Sequence, residues 1–163
     1  MSEYTYATIE SPIGRLELVS NGNVLTRLSI EGPDYPLRHA GRPGTPDDVI
    51  AQATEELAEY FTGKRTEFEV PIALVGTEFQ QAIWLALLGV PFGETATYGE
   101  LAAAAGLPKA ARAVGGAVGA NPVAIIVPCH RILASGHRLT GYSNGNGIET
   151  KKQLLDLEGI GYR

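Results

Sequence analysis

The chain has a single cysteine, Cys129, so it can form no internal disulfide, which fits a reducing compartment. Its three histidines, His39, His130 and His137, do not combine with that thiol into the paired spacing of a structural zinc site. No metal and no other cofactor are therefore expected. No apolar run approaches the ~18 residues of a membrane span. The opening MSEYTYATIE lacks the basic-then-apolar pattern of a secretion signal. Together these absences predict an intracellular, cytoplasmic protein with no membrane partner. Positive charge is also scarce, with 13 basic against 18 acidic side chains and a net charge of −5. Taken over the whole chain, that balance argues against a polyanionic partner.

The distribution of charge argues the other way. Residues 1–97 balance at −8, whereas residues 98–142 hold Lys109, Arg112, Arg131 and Arg138 against Glu100 alone, a balance of +3. Attraction for phosphate depends on the field within a Debye length of about 8 Å, so this basic third governs what binds there. A plain solvated face is the competing explanation of four charges.

What is present suits one compact domain or two small ones. Residues 3–9, 14–20 and 23–30 alternate apolar and polar positions and predict an antiparallel meander. Residues 31–46 hold four prolines and three glycines and predict a loop. From Asp47, Val49, Ile50, Ala53, Leu57 and Tyr60–Phe61 recur at helical spacing until Gly63, and a short strand is expected at 66–70. A linker at 70–76 divides the chain into units 1–73 and 77–163. Thr77 and Gln80 form a capping box for a helix with the stripe Phe79, Ile83, Trp84, Leu87 and Leu88. A final helix is expected at 148–158, burying Ile148, Leu154, Leu155 and Leu157.

Between these lies TYGELAAAAGLPKAARAVGGAVGANP, residues 97–122. A helix over 98–105, a turn at Gly106, and a second helix with Pro108 near its first turn make the helix-turn-helix outline. That second helix is almost all Ala, Gly and Val, with Arg112 as its one long polar side chain. Each glycine weakens a helix by about 1 kcal/mol relative to alanine, so a reason for small residues is needed. Tight packing on another helix is one. Close entry into a nucleic-acid groove is the other.

Cys129 follows the apolar run AIIVP, which reads as a buried strand, and precedes His130 and Arg131. A lone cysteine is usually an inert core residue. As a nucleophile it needs help to ionise, since a free thiol has a pKa of ~8.5 and nearby cations lower it. In an extended strand His130 would face away from the sulfur, so a turn at Pro128 or a bridging water would be required.

PCHR preceded by NPVAIIV, with KAARAVGGAVGANP and GETATYGELA upstream and LTGY and LLDLEG downstream, resembles the O6-alkylguanine-DNA alkyltransferases, also called methylated-DNA–protein-cysteine methyltransferases. The likeness is dense over residues 77–158 and sparse over 1–76. It implies an α/β N-terminal domain with an antiparallel, ribonuclease H-like sheet, and a mainly α C-terminal domain with a winged helix-turn-helix. It implies suicide repair, in which an alkyl group passes once and irreversibly from guanine O6 in duplex DNA to Cys129. On that likeness His130 is a base acting through water, Glu158 orients it, Asn121 braces the active-site turn, and Tyr98 donates toward the base. Arg112 is implied as the finger that replaces the flipped base, with Tyr98, Ala110, Ala111, Ala113, Gly115 and Ser135 against DNA in the minor groove. Tyr142, Ser143, Ile132 and Val118 are implied as the pocket, and the protein as a monomer that can assemble along DNA.

Two departures stand out. The segment YSNGNGIETKK is two residues longer than the family pattern before the last helix, which bears on the size of alkyl group accepted. The N-terminal metal site of some relatives needs cysteines absent here. Alkyltransferase-like proteins, which bind lesions without transfer, replace the acceptor cysteine, whereas this chain keeps it. Lesion recognition without transfer and a thiol hydrolase are the rival functions.

Overall fold

The alternation in the first thirty positions folds into strands β1 (Thr5–Ile9), β2 (Leu16–Ser20) and β3 (Leu25–Ile30), antiparallel in the order β1-β2-β3. This computed structural model describes residues 4–39, 44 and 46–163. Register pairs Leu18 with Leu28 and Leu16 with Ile30, so one face of the sheet is apolar. Helix α1 (Asp48–Phe61) covers that face with Val49, Ile50, Ala53, Leu57 and Tyr60, and Asp47 caps it by accepting the Ile50 N–H. Each such buried leucine or isoleucine contributes about 1.5–3 kcal/mol. The expected loop 31–46 is irregular where described and is tied to the sheet by the His39 N–H, which donates to buried Glu17 at 2.7 Å. Positions 40–43 and 45 of that loop, and position 3 of the first expected strand, lie outside the described residues.

β3 is an edge strand, and its free backbone groups need partners. Three segments from the rest of the chain supply them. The Leu25 N–H donates to Pro71 O at 2.8 Å, the Leu28 N–H to Pro122 O at 3.0 Å, and the Ile30 N–H to Asn144 Oδ1 at 2.9 Å. Returning bonds come from Ala73, Ala124 and Gly145. The N-terminal sheet edge thus positions the segment before Cys129 and the lengthened loop after Tyr142. Gly32 and Gly145 make this approach possible, because a Cβ on Gly32 would occupy the place of the Gly145 carbonyl.

The remaining helices are α2 (Glu78–Leu88), α3 (Tyr98–Ala104), α4 (Ala111–Gly119) and α5 (Ile148–Leu157). Capping boxes start both α2, from Thr77 with Gln80, and α3, from Thr97 with Glu100. The Trp84 indole N–H donates to Ala117 O at 2.8 Å and locks α2 to α4. One apolar core runs through both halves, from Leu16 and Leu57 to Trp84, Val114 and Val127.

The structure departs from expectation in four places. No strand forms at 66–70, because buried Glu56 takes the N–H groups of Glu69 and Val70 at 2.8 and 3.0 Å. AIIV is not a strand either: Ile126 N–H turns back to Ala124 O at 2.8 Å. Pro108 stands in the connection rather than in the first turn of α4, since Ala110 N–H closes a turn on Leu107 O. Leu88 closes α2 and Ile148 opens α5, and each is 43% exposed, so neither belongs to a buried stripe.

Candidate active site

The chain between α4 and the nucleophile candidate is a tight loop braced from inside. Ile125 holds φ at 71°, a left-handed value that a β-branched side chain rarely adopts. Asn121, directly after α4, sits in the middle of the loop and is 5% exposed. Its Oδ1 accepts the Val123 N–H at 3.0 Å, and its Nδ2 donates to Val127 O at 2.8 Å and to Cys129 Sγ at 3.1 Å. One amide therefore joins the end of α4, the strained loop and the sulfur. At Pro128 the chain turns, and Cys129–Arg131 form one 3-10 turn whose three side chains are buried.

Glu158, just past α5, is the hub of the polar network. Its Oε2 accepts His130 Nε2–H at 2.7 Å, the Tyr60 hydroxyl at 2.6 Å and Arg131 Nη2 at 3.0 Å. Its Oε1 accepts Arg131 Nε at 2.8 Å and the Gly93 N–H at 3.1 Å. The His130 and Arg131 donors hold the carboxyl far below the usual carboxylate range, against the desolvation that would raise it. An ionised carboxylate can only accept, so His130 carries its proton on Nε2 and presents a bare Nδ1. That Nδ1 is buried and has no protein partner among the described residues. Burial lowers the His130 pKa, so the ring is neutral at rest.

Burial also pushes the Cys129 thiol up, while Asn121, Tyr142 and Lys151 pull it down. The Tyr142 hydroxyl lies against the sulfur, close enough to bias its ionisation without full hydrogen-bond geometry. Lys151 is 1% exposed and donates to Ile132 O at 2.6 Å and to Thr140 Oγ1 at 3.1 Å. Desolvation lowers its pKa to about 8. The resting site is thus a protonated thiol beside a neutral imidazole, with donors arranged for a thiolate.

A cavity of about 360 Å³ opens onto Cys129 and is lined by Tyr98, Gly115, Val118, Gly119, Gly141, Tyr142 and Ser143. A larger hollow of about 710 Å³ lies behind, beside Phe68, Leu88 and Phe92, and no thiol lines it. Of the expected pocket residues, Tyr142, Ser143 and Val118 are among those lining this cavity. Ile132 is not: it is fully buried in the core and bridges to Ala96. Ser143 donates to Gly119 O at 2.8 Å, so the lengthened 143–147 loop is fastened to α4 as well as to β3. The Tyr98 hydroxyl bonds Thr140 Oγ1 at 2.8 Å at the cavity wall. Ser135 is exposed in the 3-10 turn Ser135–His137.

The outer face of α4 separates the two reasons for its small residues. Arg112, Ala113, Gly115 and Gly116 are exposed, while Val114 and Ala117 pack inward; Ala110 and Ala111, at the start of α4, are half-buried. A Cβ on Gly115, Gly116 or Gly119 would meet nothing within 4 Å. Packing inside the chain therefore does not require these glycines. The Arg112 side chain makes no hydrogen bond or ion pair with any described residue. No group of three or more His, Cys, Asp or Glu side chains able to hold a metal ion occurs among the described residues.

A family model described as 6-O-methylguanine DNA methyltransferase, DNA binding domain, matches residues 78–160. A second, described as the ribonuclease-like domain of 6-O-methylguanine DNA methyltransferase, matches residues 4–74. The chain belongs to this methyltransferase family. It is 51% identical over 155 residues to the methylated-DNA–protein-cysteine methyltransferase of Mycobacterium tuberculosis, covering 94% of this chain and 91% of the relative. It is 40% identical to the constitutive enzyme of that name from Bacillus subtilis, covering 97% of both. The crystal structure of Mycobacterium tuberculosis OGT in complex with DNA superposes with a TM-score of 0.83 at 50% identity, covering 94% of this chain and 92% of that one. The family's α/β N-terminal and helical C-terminal parts are thus both present.

Three participants escape a reading of the sequence alone. Lys151 had a signal, since 151, 154, 155 and 158 fall on one face of α5 and a lysine there is buried with the leucines. The joining of Arg131 to Glu158 had none. Tyr60 reads as core, and its partner lies 98 residues away.

Proposed function

We propose that this protein restores guanine in duplex DNA by taking the O6-alkyl group onto Cys129 in a single, irreversible turnover. The observation that carries this reading is the arrangement around one sulfur. The only thiol of the chain opens onto a cavity at the edge of a helix whose exposed face is nearly bare backbone, with a buried imidazole–carboxylate pair behind it. The thiol proton passes through a water molecule to Nδ1 of His130, and the resulting imidazolium is held by Glu158. The sulfur attacks the alkyl carbon, the carbon–O6 bond breaks, and its electron pair stays on guanine, which takes up a proton. The products are S-alkylcysteine and guanine, with no cofactor consumed.

The lesion is extruded from the stack to reach the cavity, at a cost of a few kcal/mol. α4 approaches through the minor groove, Arg112 fills the vacated place, and Tyr98, Ala110, Ala111, Ala113, Gly115 and Ser135 lie against the DNA. Tyr98 donates toward the base, and Tyr142, Ser143 and Val118 wall its pocket. Units 1–73 and 77–163 serve as support and as DNA-binding acceptor, in a cytoplasmic monomer that can assemble along DNA. No described helix is long and apolar enough to cross a membrane.

The test is intact-protein mass after incubation with duplex containing one O6-methylguanine, followed by peptide mapping. One methyl group per protein, on Cys129 and saturating, is expected. Binding to the lesion without mass gain would place the protein among recognition factors instead. Arg112→Ala is expected to slow methyl transfer from duplex by about tenfold or more, as loss of roughly 1.4 kcal/mol of flipped-state stabilisation implies. Its reaction with a free O6-alkylguanine is expected to be unchanged. Equal losses on both substrates would remove Arg112 from the flipping step.

A further inference from the structure

Tyr60 lies on α1, in the half of the chain that holds no nucleophile, yet its hydroxyl is buried against Glu158 and donates to Oε2 at 2.6 Å. Its ring is seated among Phe61, Phe68 and Phe92, with centroids 5.3, 5.5 and 6.1 Å away. The three rings supply all the packing a phenylalanine would need. The hydroxyl is extra, and it ends on the same oxygen that receives His130. We infer that Tyr60 is a positioning residue for the transfer reaction, its phenol fixing the orientation and basicity of Glu158 and, through that carboxylate, the proton affinity of His130. This rests on the reading of Cys129, His130 and Glu158 as the proton relay.

The physical argument concerns how the negative charge of Glu158 is shared. A carboxylate oxygen accepting a third hydrogen bond is a weaker base toward the other two donors. Donation by Tyr60 therefore keeps the relay proton on His130 rather than letting it pass to Glu158. It also limits how firmly the imidazolium is held, so that the proton can be returned. Burial and the neighbouring carboxylate push the Tyr60 hydroxyl far above its ordinary range, so it is a permanent donor. The charged and titratable groups facing His130 are Glu158 and Lys151 from the α5 side and Arg131 from its own turn. Tyr60, from α1, stands beyond Glu158, and Cys129 precedes His130 in the chain. Among the described residues, only Tyr60 brings the N-terminal half into this network through a side-chain hydrogen bond. The arrangement gives residues 1–76 a part in the chemistry besides support.

The experiment follows two reactions from about pH 5 to about pH 9, the range in which imidazole and thiol titrate. One is single-turnover methyl transfer from an O6-methylguanine duplex; the other is alkylation of Cys129 by iodoacetamide, which needs no DNA. Both are run on the native protein, on Tyr60→Phe, and on protein carrying 3,5-difluorotyrosine at position 60, a stronger phenol donor. Tyr60→Phe is expected to slow transfer several-fold and to move the acid midpoint of both profiles upward by about half a unit. The fluorinated protein is expected to move it downward. Midpoints unchanged in both proteins would overturn the inference even if rates or thermal stability fall, since such losses can come from packing alone. If Tyr60→Phe does not fold, the fluorinated protein decides alone: a downward shift supports the role and no shift overturns it. If the native protein transfers no methyl group while the iodoacetamide midpoints still shift, the repair reading fails and the control of His130 by Tyr60 stands.

Discussion

Cys129→Ala abolishes methyl transfer completely while leaving binding to lesion-bearing duplex intact. The expectation follows from the count of thiols: no second cysteine exists to accept the group. It also follows from the surroundings, because Asn121 reaches the sulfur while keeping two other bonds within the loop. Loss of the sulfur costs that amide one of its partners and leaves the loop braced, so α4 keeps its place. Mass spectrometry after incubation with the O6-methylguanine duplex checks the first half, and a mobility-shift titration the second. Any transferred methyl group in this variant would show that another residue is the acceptor. Loss of binding together with transfer would show that the sulfur is needed for the DNA-facing structure itself.

Glu158→Gln has the second largest expected effect, and it acts on both rate and stability. The carboxylate receives five hydrogen bonds, two of them from a buried guanidinium. An amide cannot accept them all, and Arg131 is left charged at 6% exposure. Breaking such a buried pair costs about 3–5 kcal/mol, or roughly 10 °C of melting temperature for a chain of this size. Transfer falls by about 100-fold, the lower range for loss of an organised general base. The pH dependence of stability separates these contributions. Because the folded carboxyl is held below its unfolded value, its stabilisation is complete above the unfolded pKa of about 4.5 and drains as pH falls from there. Unfolding curves of native protein and variant are therefore expected to be well separated at neutral pH and to converge in acid. Parallel curves at all pH values would mean that Glu158 stabilises by shape and not by charge.

Several elements were legible in the sequence because their signals are local. The meander, α1 with Asp47 and Gly63 at its ends, and the capping boxes of α2 and α3 follow from side-chain period and from donors within three residues. The failures have one cause. At 66–70 a strand-like run lost its ladder to Glu56, a carboxylate on another element. AIIV reads as a buried strand, yet docking on β3 and the brace from Asn121 bend it into a turn that its own propensities disfavour. Ile132 is apolar and close to the nucleophile in sequence, and only the course of the chain turns it into the core.

The order of residues alone determined that one thiol is available, that a histidine follows it, and that a helix stripped to small side chains lies just upstream. Composition and spacing suffice for these, since they concern which atoms exist and which neighbours a regular helix presents. The tertiary structure decided which of those atoms act together. Glu158 meets His130 across 28 residues and Tyr60 across 98, and the glycines of α4 face open space instead of a packing partner. Hydrogen-bond partners and exposure depend on the folding of distant segments onto one sheet edge and one core, and no periodicity along the chain encodes that meeting.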